Sequence, residues 1–150
     1  MAFAIIVAGL AASAAAQSGR PQDGPRPLEE LDAREANVTA VSFEMLDEGR
    51  YRFDVALFHD DNGEEAYANW WQVETLGGDL LGRRELLHAH SRQPFTRSET
   101  INIPDGTNRV VIRGHDQTHE YGGQAAILNL STGELLWYEQ GPEPMDFSGE

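Results

Sequence analysis

The chain has 150 residues, with no cysteine and no lysine among them. The first absence excludes disulfides, thiolate metal sites, iron–sulfur clusters and a catalytic thiol, and leaves cysteine usage silent about the redox compartment. The second means that all 11 basic residues are arginines, set against 25 Asp and Glu for a formal net charge of −14. Positive charge this scarce argues against nucleic acid as a partner, because phosphate recognition needs a basic face. It also argues against docking on anionic lipid, whereas the same field attracts cations. No G-x-S-x-G elbow, no EF-hand loop pattern and no solenoid-type repeat occurs. Long apolar runs are missing as well: Ala2–Leu10 falls short of the ~20 residues that span a bilayer.

What is present is ordinary for a soluble globular protein, with 40% hydrophobic and 24% charged residues. The length suits one domain with a core that needs no staple. The apolar run Ala2–Leu10 leads into the small-residue tract Ala11–Ala16, and Ala14-Ala15-Ala16 before Gln17 has the A-x-A form of a signal-peptide cleavage site. No Lys or Arg precedes the run, so the free amino group, or residues upstream of Met1, must supply the positive charge. Residues 1–16 are thus read as a signal peptide, placing the mature protein in the periplasm or outside the cell. No membrane insertion follows processing, and no cysteine lies there to carry a lipid. Residues 17–37 begin with the Pro- and Gly-rich QSGRPQDGPRP and are expected to form a disordered linker, with a marginal helical turn within Leu28–Ala36. Residues 141–150 (GPEPMDFSGE) are expected to be a flexible tail.

Between them, residues 38–140 alternate apolar and polar positions with the period of a strand. Val38–Leu46 and Tyr51–Phe58 form a hairpin around Asp47-Glu48-Gly49, with Tyr51, Phe53, Val55 and Leu57 on one face. Trp70–Leu76 places Trp71 and Val73 on one side and Trp70, Gln72 and Glu74 on the other. Leu80–Leu87, Phe95–Ile103, Arg109–His115 and Ala125–Leu130 are further strands, and Leu135–Glu139 is an additional one or an edge. About seven short strands with regular turn signals and no long helical period predict an all-β fold. The expected form is a single antiparallel β-sandwich of immunoglobulin-like or fibronectin III-like type, with Trp71 as core plug.

Five histidines stand out: His59, His88, His90, His115 and His119. His88 and His90 are two apart, so an extended backbone would project both from one face. His115 ends a strand, and His119 follows in a polar, glycine-rich loop. Neutral imidazole is a donor for Cu(II) or Zn(II). Met45 and Met145 lie outside these segments, which disfavours Cu(I). The candidate metal ligands are therefore His88, His90, His115 and His119, with Asp116, Glu120 and His59 as extra ligands or orienting groups. Whether they form one site or two depends on connections that the sequence leaves open.

The segment Leu86-Leu87-His88-Ala89-His90, leading into Gln93-Pro94-Phe95-Thr96-Arg97-Ser98, and the later His115-Asp116-Gln117-Thr118-His119-Glu120-Tyr121-Gly122-Gly123 resemble a group of small bacterial secreted proteins. The resemblance covers roughly Trp70 to Gly123 and implies that the two segments form a functional pair, with no assigned chemistry. The stretch between the two histidines and QPFTRS is usually acidic in that group; here it is Ser91-Arg92.

Other features have bland alternatives. Ser91, Thr96 and Ser98 near histidines lack the strand–turn–helix context of a hydrolase nucleophile. Asp60-Asp61-Asn62-Gly63-Glu64-Glu65 reads as a solvated turn or a Ca²⁺ loop, and Trp70-Trp71 as core packing or a sugar-stacking surface. Arg83, Arg84, Arg92 and Arg97 pair with acidic turns, bind an anion or guard an edge against strand addition. The sequence points to an exported protein that binds, delivers or sequesters Cu(II) or Zn(II), without turnover. The competing reading is a non-catalytic immunoglobulin-like adhesion or protein-interaction module.

Overall fold

A computed structural model describes residues 21–61, 63–140 and 147. The signal peptide expected at 1–16 lies outside the described residues, as do the start of the linker and most of the tail. Among the described residues, nine strands follow one 3₁₀ turn, Leu28–Glu30: β1 (Asn37–Asp47), β2 (Arg50–Phe58), β3 (Ala68–Glu74), β4 (Leu80–Glu85), β5 (Phe95–Asn102), β6 (Arg109–Asp116), β7 (Glu120–Tyr121), β8 (Gly123–Asn129) and β9 (Leu135–Gln140). Every pairing is antiparallel. One sheet has the order β1-β2-β5; the other runs β4-β3-β6-β8-β9, with β7 also on β6. The fold is an all-β antiparallel sandwich.

Period-2 alternation decides which side chains meet between the sheets. Phe53, Val55 and Leu57 of β2 and Val38 of β1 face Trp71 and Val73 of β3, Val110 and Ile112 of β6, and Ala126 and Leu128 of β8. Trp71 is fully buried, as a core plug should be. Gly82 lets β4 close on β5, because a Cβ there would sit 2.7 Å from the Ile101 side chain. The outer face of the larger sheet carries a second apolar cluster, Val111, Ala125, Ile127 and Tyr138.

Two segments expected to be loose are packed where they are described. Within the stretch read as a linker, Gln22 exchanges two backbone hydrogen bonds with Trp137 of β9, each 2.7 Å, and Leu31 and Ala36 are buried. The cause is an edge strand with free backbone groups, together with the buried Asn37 side chain. Its amide donates to the carbonyls of Asp32 and Glu35, both at 2.8 Å, while its oxygen accepts from the Gln124 N–H at 2.9 Å. Within the stretch read as a flexible tail, Phe147 is buried. It donates its N–H to the Leu76 carbonyl at 2.8 Å and sets its ring edge-on to Tyr138.

The chain changes sheet after β2, β4 and β5. The connections after β2 and β4 and the turn after β6 all lie at one end, since Leu57 pairs with Phe95, Trp70 with Glu85, and Ala68 with Asp116. All five histidines therefore share that end of the sandwich.

Truncating the core plug tests this packing. Trp71→Ala is expected to cost about 3–5 kcal/mol, read as a lower urea midpoint. Trp70→Ala, on the outer face, should cost clearly less; equal losses would contradict the assignment of faces.

Candidate functional site

At the histidine-bearing end, the element around which the loops are arranged is His59, immediately after β2. Its ring is buried between two buried carboxylates: Nδ1 lies 2.7 Å from Asp61 Oδ1 and Nε2 lies 3.5 Å from Asp116 Oδ2. The first is a hydrogen bond; the second is an ion-pair contact too long to be a good one. Backbone donors complete the carboxylates. Asp61 accepts the N–H groups of Ala68 at 3.0 Å and His90 at 2.6 Å. Asp116 Oδ1 accepts those of Thr118 at 2.8 Å and His119. Three segments, 59–61, the loop carrying His90, and the turn 116–119, are thus tied through one imidazole.

Electrostatics follow from this geometry. Burial alone would push the His59 pKa down, but the contacts and negative charges of Asp116 and Asp61 outweigh it and hold it at about 9. Burial works to raise both aspartates, yet His59 and the backbone donors bring each below the ordinary carboxylate value. His59 is an imidazolium at neutral pH, flanked by two carboxylates.

The four histidines expected as metal ligands, in one site or two, do not come together as a group of three or more. His88 has its side chain 80% exposed, with Nδ1 3.5 Å from Glu64 Oε1. His90 stacks on Phe95 at 3.7 Å and 8°, with Nδ1 3.3 Å from Asp61 Oδ2. Burial and then the Arg97 charge lower its pKa. His115 sits on the outer face of the larger sheet, stacked on Trp70 at 3.7 Å and hydrogen-bonded through Nδ1 to Asn69 Oδ1 at 2.7 Å. Burial is the chief cause of its lowered pKa. His119 lies 3.7 Å from Asp116. Glu120 is exposed and adopts a left-handed φ of 61°. Among the described residues, no group of three or more His, Asp or Glu is arranged to hold a metal ion.

The reasons are local. β4 stops at Glu85, so His88 and His90 lie in an irregular loop and lose the shared face that an extended strand would give them. His115 is in register with Trp70 and alternates away from Ile112, which points into the core. Asp61 is the site residue missed in the sequence. The composition of the acidic turn predicts a solvated turn or a Ca²⁺ loop, yet the Asp61 side chain is fully buried. The available signal was the spacing His59-Asp60-Asp61 directly after a strand.

Other candidates resolve similarly. Arg83 covers Trp70 at 4.0 Å from the β4 side, and His115 covers it from the β6 side, leaving no free ring face for a sugar. Ser98 Oγ donates to Asp54, and no Ser or Thr hydroxyl among the described residues bonds an imidazole.

The pKa directions set a stability profile. His59 titrates near 6.5 when unfolded and about 9 when folded. Its contribution is complete below 6.5 and drains away as pH rises through 9. The depressed aspartates contribute above their unfolded value near 3.8 and lose that contribution on acidification. The contribution of His59, Asp61 and Asp116 together should therefore be greatest between about pH 4 and 6.5. The urea midpoint should fall steadily toward pH 9, with the alkaline fall removed in His59→Gln. A wild-type midpoint flat over that range would contradict the protonated clamp.

A protein from Halomicrobium mukohataei named "Putative lipoprotein" is 60% identical to this chain over 118 residues, which is 79% of this chain and 59% of that protein. The chain thus spans about three-fifths of the length of the curated relative it matches. No family model matches the chain, and no solved structure matches it.

Proposed function

We propose that the protein is an exported, non-catalytic binding module that engages a partner protein through the loops at its histidine-bearing end. The observation that carries this reading is the buried His59 between Asp61 and Asp116, which fixes three loop segments while their tips stay in water. Leu87 is 70% exposed and stands beside the exposed His88, an apolar side chain on a loop held in place from below. Loops on a rigid sandwich are where such domains place recognition, and preorganised loops lose less entropy on binding.

Two further facts support the reading. With β4, β7 and β9 set aside as additions, β1-β2-β5 facing β3-β6-β8 follows, in chain order, the A-B-E against C-F-G pattern of immunoglobulin-like domains. The relative's printed name and the apolar run Ala2–Leu10 with its A-x-A site both favour export, to the periplasm or beyond the cell.

Coordination of Cu(II) or Zn(II) is the second reading. One atom favours it: Asp116 Oδ2 is buried with no hydrogen-bond partner, beside His59 and close to His119. A cation there would displace the His59 proton.

A photo-crosslinking residue placed at Leu87 in the producing cell should give a discrete protein adduct, and one placed at Leu80, outside the histidine-bearing end, should not. Adducts at neither position, together with stoichiometric Cu(II) or Zn(II) uptake that His59→Ala and Asp116→Ala abolish, would replace this reading with the metal one.

A further inference from the structure

Nine arginines of this acidic chain can be sorted by their partners. Arg26, Arg34, Arg50, Arg52, Arg84 and Arg113 each lie within 4.0 Å of a carboxylate. Among the described residues, Arg83, Arg92 and Arg97 form no such ion pair, although the chain carries 25 acidic residues. These three lie together at the seam where β4 and β5, each the edge of its own sheet, come alongside one another. Two adjoining clefts open there, of about 450 and 460 Å³, sharing His90 and Arg97. Their walls hold four arginines, Arg83, Arg84, Arg92 and Arg97, against two acids, Glu85 and Glu99.

Three of the four guanidinium groups are held in place by neutral groups or by backbone. Arg83 donates Nε and Nη2 to Gln72 Oε1 at 3.0 and 2.7 Å while lying over the Trp70 ring. Arg84 donates to the Ser98 carbonyl at 3.2 Å, with Glu99 no nearer than 3.9 Å. Arg97 donates to the Thr96 carbonyl at 2.7 Å and leans over Phe95. A guanidinium oriented by neutral groups keeps its charge available and loses little freedom when an oxyanion arrives. In a molecule of net charge −14 the surrounding field repels anions, so an uncompensated basic cleft is selective for ligands that touch several arginines at once. The cleft volumes are those of a small-ligand site.

From this we infer that the β4–β5 seam binds a multivalent oxyanion, a ligand presenting two or more carboxylate or phosphate groups to Arg83, Arg92 and Arg97. The site adjoins the loops of the histidine-bearing end but does not depend on a partner protein docking there.

Calorimetric titration of the full chain with inorganic pyrophosphate, citrate and a hexaglutamate peptide tests this. At least one probe should bind with one-to-one stoichiometry, more weakly as salt is raised. The double variant Arg92→Gln/Arg97→Gln should weaken that binding about tenfold or more. Arg50→Gln/Arg52→Gln, which removes the same charge from arginines already paired with Asp47 and Asp54, should leave it unchanged. Preference for pyrophosphate assigns a phosphate-bearing ligand, for citrate a small polycarboxylate, and for hexaglutamate an acidic peptide. No binding of any probe, or equal weakening in both double variants, overturns the inference.

Discussion

The geometry of the histidine-bearing end depends on one buried imidazolium between two buried carboxylates. Each of the three charges would be expensive alone in a water-poor site. Together they are tolerable because His59 neutralises one carboxylate charge and four backbone N–H groups, from Ala68, His90, Thr118 and His119, solvate the oxygens. Those donors come from segments far apart in sequence, so the carboxylates select one arrangement of three loops out of many. Gln93 reinforces it, accepting from the His59 N–H at 3.1 Å and donating to the His90 carbonyl at 3.0 Å.

The same device recurs on the outer face of the larger sheet. Arg113 Nε meets Glu74 at 2.5 Å with both side chains nearly buried, and the guanidinium lies over Tyr121 at 3.9 Å. Gln72 also donates to Glu74, and Gln140 accepts from Arg113 at 3.3 Å. In both places buried charges are paired with each other and with named donors or acceptors, Asp116 Oδ2 excepted. The seam between β4 and β5 differs: among the described residues, Arg83, Arg92 and Arg97 there form no ion pair with a carboxylate, and arginines outnumber acids in the cleft walls.

The strands were legible because their side chains alternate without ambiguity. Tyr51, Phe53, Val55 and Leu57 can face one way only, and Trp71 next to Trp70 forces one ring inward and the other out. The site was less legible, since its geometry depends on which strand ends coincide. That all five histidines share one end follows from the sheet changes after β2 and β4, and no local pattern encodes these. Placing His88 and His90 on one face requires an extended backbone past Glu85, where β4 ends. Asp61 was hidden inside an acidic turn whose composition signals solvent, although its carboxylate is fully buried. Gln22 and Phe147 lie in Pro- and Gly-rich surroundings that read as loose, yet each satisfies backbone or apolar groups of a distant strand.

Residue-resolved amide hydrogen exchange, compared between the wild-type chain and His59→Gln at neutral pH, tests the clamp most directly. If the imidazolium holds the three segments, the amides of Ala68, His90, Thr118 and His119 lose protection together while Phe53 and Ile112 in the strands keep theirs. Exchange that quickens only next to residue 59, with His90 and Thr118 as protected as before, would contradict it.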